Sequence, residues 1–205
     1  FVRQIAHSTK GFVGREWVFN KIEDWMTNNR NRRTFVIEGP AGVGKSAIAG
    51  QLSQQLRDVI GIYFCQHNDP TTQDANNLVR TMVFQIASRS PKYRTWLLEQ
   101  LKSKKLDKEG LSNLPATTLF RELVLNTPPI NEESDTRLIF VIDALDEARD
   151  KTGKNAVLEL ISKDFPKLPK SIGVVITTRQ EQDIINQLAS PYMLSTDDEL
   201  NTKDI

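Results

Sequence analysis

Gly39-Pro40-Ala41-Gly42-Val43-Gly44-Lys45-Ser46 stands between the apolar run Phe35-Val36-Ile37 and a segment in which Ile48, Ala49, Leu52 and Leu56 recur at helical spacing. The order is strand, loop, helix. The stretch fits the pattern G-x-x-x-x-G-K-[S/T], whose context must be this one for the pattern to carry meaning. Its glycines let the backbone fold back and aim N–H groups at an anion, and the helix that follows presents the positive end of its dipole to the same place. The loop through Ala47 is therefore expected to cradle phosphate oxygens, with Lys45 reaching the terminal phosphates and Ser46 holding Mg²⁺.

The rest of the chain supplies the sheet that such a loop needs. Ile60-Gly61-Ile62-Tyr63-Phe64-Cys65, Arg137-Leu138-Ile139-Phe140-Val141-Ile142 and Ile172-Gly173-Val174-Val175-Ile176 are apolar without alternation, as in strands covered on both faces. Between them, Leu78, Val79, Met82, Val83 and Ile86 share a helical face, and Ser90-Pro91 opens a further helix carrying Tyr93, Trp96, Leu97 and Leu101. Leu119 to Val124, Ala156 to Ile161 and Ile184 to Leu188 mark shorter helices. Strands alternating with helices imply right-handed crossovers and a parallel sheet. The expected fold class is a P-loop NTPase three-layer α/β/α sandwich with a mainly parallel five-stranded sheet. Residues 1–31 read as a lead and a helix, 32–195 as the core, and 196–205 as a tail leading to further domains.

Composition narrows the function classes. Lys and Arg number 27 against 26 Asp and Glu, a net charge of +1, which makes no electrostatic case for nucleic acid. The single cysteine, Cys65, cannot form an internal disulfide and sits in an apolar run, which fits a reducing compartment and a cytoplasmic location. No apolar stretch approaches the length of a membrane span, so no membrane partner is expected. The 205 residues start at Phe1 without methionine and end in a polar tail, which leads us to expect a domain of something longer.

Acidic chemistry follows the strongest strand. Asp143 ends that apolar run, and Asp146 and Glu147 come three and four positions later. In open parallel sheets ligands sit outside the carboxyl ends of strands, where the loop, Asp143 and Arg179 all fall. Asp143 is the expected second metal residue beside Ser46, a hard oxygen ligand suited to Mg²⁺. Phosphoryl transfer also needs an oriented water. Asp146 is the first choice for that role and Glu147 the second, the other serving as a helix cap or surface carboxylate. Arg179, at the end of its strand, is placed to hydrogen-bond a γ-phosphate.

At these residues the sequence resembles the NACHT-type members of the STAND class of P-loop NTPases. Leu138 to Glu147 looks like their apolar run, aspartate, small residue, apolar residue and Asp-Glu pair, and Val175-Ile176-Thr177-Thr178-Arg179 resembles their sensor strand. The segment Phe12-Val13-Gly14-Arg15-Glu16 is similar to one that contacts adenine in those relatives. The resemblance implies ATP or ADP bound with Mg²⁺, slow hydrolysis, and self-association of the full-length ATP-bound protein. It also implies effector and sensor domains outside this chain. Two other readings stand beside it: an ATPase acting on nucleic acid, and an interaction module that uses nucleotide only as structure.

Overall fold

The computed structural model describes residues 15–29, 31–103, 113–128 and 137–196. The mixed-charge run from Lys102 to Glu109 lies mostly outside the described residues, and residues 131–136 lie wholly outside them, as do Phe12, Val13 and Gly14.

Among the described residues the order begins with α1 (Glu16–Asn28) and enters β1 (Thr34–Glu38), the loop, α2 (Lys45–Gln55) and β2 (Val59–Phe64). Then come α3 (Ala75–Arg89), α4 (Pro91–Ser103) and α5 (Ala116–Phe120), the last running into a π-helical turn, Arg121–Leu125. β3 (Leu138–Asp143) is followed by a 3₁₀ turn, Leu145–Ala148, and α6 (Ala156–Asp164). β4 (Ile172–Thr178), α7 (Gln182–Gln187) and β5 (Tyr192–Ser195) complete it. Local chemistry sets several helix starts. Asp74 accepts from Asn76 N–H at α3, Ser90 Oγ accepts from Tyr93 N–H at α4, and Asn155 accepts from Leu158 N–H at α6.

The five strands pair in the order β2-β3-β4-β1-β5, and every pairing is parallel. The mainly parallel five-stranded sandwich expected from the sequence is the observed fold. Alternate side chains of each strand serve opposite faces, so strands that read as uniformly apolar feed two separate cores. Phe35, Ile37, Ile139, Val141 and Val175 pack with α1 and α2. Val36, Phe140, Ile142, Val174 and Ile176 pack with α3, α5, α6 and α7. At the amino ends of the strands Trp25 is fully buried, edge-on to Phe35 and beneath the Arg137 guanidinium 4.6 Å away. Arg137 is itself buried there, donating to the carbonyls of Arg32 and Lys170.

Because α2 covers one face while α3 and α6 cover the other, the carboxyl ends of β1, β4 and β3 open into a crevice between the layers. The ligand crevice of open α/β sheets forms in this way.

Candidate functional site

The loop between β1 and α2 takes the backbone shape that its glycines permit. Gly42 and Gly44 have φ of 82° and 88°, left-handed values that an L side chain adopts at a cost. Gly39 is needed for a different reason: a Cβ there would lie 1.8 Å from Thr196 Oγ1. Lys45, largely buried, donates from Nζ to the carbonyls of Gly39 at 2.7 Å and Pro40 at 2.6 Å. Arg15 reaches the loop from the start of α1, donating from Nη2 to Val43 O at 3.1 Å. Its Nη1 is buried and has no hydrogen-bond partner among the described residues.

Across the cleft, β3 ends in Asp143, which is only 3% exposed. The chain turns at once through Ala144, in the left-handed region at φ 55°, and this turn carries Asp146 and Glu147 back over the crevice. Thr177 on β4 secures the turn. Its hydroxyl accepts from Ala144 N–H at 2.8 Å and donates to Asp143 Oδ1 at 2.6 Å. Burial pushes the Asp143 carboxyl above its ordinary range, the hydrogen bonds from Thr177 and Ser46 pull it down, and the charges of Glu147 and Asp146 push it up again.

Asp146 and Glu147 are held differently. Asp146, nearly buried, takes Arg179 N–H on Oδ1 at 3.1 Å and Arg179 Nε on Oδ2 at 3.2 Å, so both its oxygens are engaged by one residue. Glu147 is half-buried and held more loosely, by His67 N–H at 3.3 Å and Arg179 Nη2 at 3.8 Å. Together these groups enclose a cavity of about 270 Å³ whose lining includes Gly42, Lys45, Ser46, Glu147 and Arg179. The loop residues Gly39 to Ala47, Asp143, Asp146, Glu147 and Arg179, drawn from three separate stretches of sequence, thus meet at one edge of the sheet. Arg15 joins them by its bond to the loop.

Two participants escaped the reading of the sequence. Thr177 was read only as part of the strand end Val175 to Arg179, with no role of its own, and it is fully buried. His67 drew no role from the sequence, and it is its backbone N–H that faces Glu147. Among the described residues no group of three or more His, Cys, Asp or Glu is arranged to hold a metal. A cation here would therefore depend on the Ser46 and Asp143 oxygens, together with oxygens from a ligand. That donor set suits Mg²⁺, which keeps several waters and uses few protein carboxylates.

A family model described as Nephrocystin 3, N-terminal, matches residues 14–179, well over half of the chain. The chain belongs to that family. This corrects the resemblance to NACHT-type STAND proteins, since the Nephrocystin 3 N-terminal family is a domain distinct from the NACHT ATPase domain. The physical reason for the misreading is plain. A glycine-rich loop, an aspartate closing a buried strand and a nearby acidic pair are short motifs that P-loop-like folds share, so they do not fix the family. No curated protein matches the chain. The fold is a P-loop NTPase-like α/β sandwich, compatible with nucleotide-binding proteins in general. Among the described residues no helix is long and apolar enough to cross a membrane.

Proposed function

We propose that the cleft binds ATP with Mg²⁺ and hydrolyses it slowly. The observation that carries this reading is the convergence on one cavity of a left-handed glycine loop, its lysine and serine, and an arginine–carboxylate cluster, with the buried Asp143 held behind them by Thr177.

In this reading the loop N–H groups and the start of α2 receive the phosphates, and Lys45 leaves the Gly39 and Pro40 carbonyls to meet them. Ser46 and Asp143 would hold Mg²⁺, which supplies neutralisation of phosphate charge when bound. Thr177 keeps the Asp143 carboxylate turned toward Ser46. Water attacks the γ-phosphorus, the bond to the β-phosphate oxygen breaks, and the water's proton needs an acceptor.

The geometry favours Glu147 for that acceptor over Asp146, reversing the preference read from the sequence. Asp146 has both oxygens committed to Arg179, and its work is to position that guanidinium. Glu147 keeps longer and weaker contacts at the cleft wall. In single-turnover assays of phosphate release with saturating MgATP, Glu147→Gln is expected to lower the rate by about 10²-fold or more, the usual size of a general-base contribution. Asp146→Asn should weaken nucleotide discrimination as well as rate. If Asp146→Asn abolishes turnover while Glu147→Gln leaves it intact, the two roles are the other way round. Nucleotide binding with no turnover in the wild type would reduce the bound nucleotide to a structural element.

A further inference from the structure

A second concavity, of about 790 Å³, lies away from the nucleotide cleft, over the free edge of the sheet. β2 has one strand neighbour, β3, and the walls of this groove rise from α2 and α3 on either side of β2's other edge. Ile60, Ile62 and Tyr63 form its apolar floor, and Phe84 of α3 stands at its rim with 72% of its surface exposed. A large aromatic side chain left in water beside an apolar trough is costly unless something covers it.

The charge of the groove is one-sided. Arg80 and Arg89 both line it, and no carboxylate does. Arg80 touches only Asn77 Oδ1 at 3.2 Å and Arg89 only the Arg57 carbonyl at 3.5 Å, so neither has an acidic partner among the described residues. They are separated along α3 by about 13 Å, from a rise of roughly 1.5 Å per residue. Exposed aromatic and arginine side chains lining an apolar floor have the composition of an interface core.

We propose that this groove is a docking surface for an acidic amphipathic helix of another protein, with apolar side chains on the floor and carboxylates on Arg80 and Arg89. A helix is favoured over an added β-strand because the edge is already closed where it matters. The Gln85 carboxamide accepts from Ile62 N–H at 2.8 Å and donates to Ile62 O at 3.0 Å, taking the place an incoming strand would need. Nucleic acid is disfavoured because the floor is apolar and only two cations face it.

The probe is a capped, fluorescein-labelled helical peptide with Leu and Phe on one face and Glu on the other, titrated against the whole chain by fluorescence anisotropy without nucleotide. Its counterpart with Lys in place of Glu, and a labelled oligothymidylate, serve as comparisons. Saturable binding is expected for the Glu peptide alone. It should weaken by about tenfold or more in Arg80→Glu/Arg89→Glu and in Phe84→Ser, surface changes whose folding is checked by an unchanged thermal melt. The proposal is overturned by equal binding in the variants, by equal or tighter binding of the Lys peptide or the oligothymidylate, or by no saturable binding. It is overturned too if sedimentation reveals a self-associated chain that Phe84→Ser dissociates, which would give the groove to a second copy.

Discussion

Thr177 makes one hydroxyl serve two neighbours, the amide of a left-handed alanine and the buried Asp143 carboxylate. Replacing it with the near-isosteric valine leaves the Ala144 N–H without its acceptor and removes a donor from Asp143. The expected cost is about 1–3 kcal/mol, the penalty for stranding buried polar groups, and Thr177→Ser should recover most of it. Urea unfolding midpoints measure both, and a valine variant as stable as wild type would contradict this role. Cys65 offers a second test at the same scale. It is buried at the end of β2, and burial, with the charges of Asp143, Asp146 and Glu147 adding to it, pushes its thiol well above the ordinary range. The thiolate is the reactive form. Alkylation by iodoacetamide at neutral pH should therefore be far slower in the native chain than in urea, and equal rates in the two would show that the thiol is accessible.

Among the elements, the turn after β3 and the entry to α7 are braced from outside the cleft by Arg149, whose guanidinium donates to both Glu181 and Asp183. The hydrogen bond from Arg149 holds the Asp183 carboxyl below its usual 3.8. A carboxyl depressed in the folded state stabilises above its unfolded value and loses that contribution as pH falls through its folded one. Arg149→Met should thus return Asp183 toward 3.8 in an NMR titration and flatten the acid end of the stability curve. The change will be small, because Asp183 is half exposed and screened. An unmoved Asp183 titration would mean that the pair is not formed in solution. At the opposite end of the sheet, α1 is pinned by Trp25, buried between Phe35 and Arg137. Trp25→Ala should cost about 3–5 kcal/mol, seen as a lowered thermal midpoint, and a midpoint within a degree or so of wild type would place α1 outside the cooperative core.

Over the whole molecule, what the sequence made legible was whatever is local. Unbroken apolar runs announced β1 to β4, and the glycine loop announced a segment whose backbone goes left-handed. The strand order β2-β3-β4-β1-β5 was not legible, because uniformly buried strands carry no signal for which neighbour each one takes. β5 was faint, at four residues of mixed burial. The different holding of Asp146 and Glu147 was hidden for a similar reason, since it depends on Arg179, more than thirty residues along and brought beside them by β4. Family membership was misread where short motifs stood in for the whole domain. The central claim, that this crevice is a nucleotide site built on the loop, is tested most directly by equilibrium titration of the chain with a fluorescent ATP analogue in the presence of Mg²⁺. Saturable binding, weakened by about tenfold or more in Lys45→Ala and by removal of Mg²⁺, is the predicted result. Absence of binding, or equal affinity in wild type and Lys45→Ala, would contradict it.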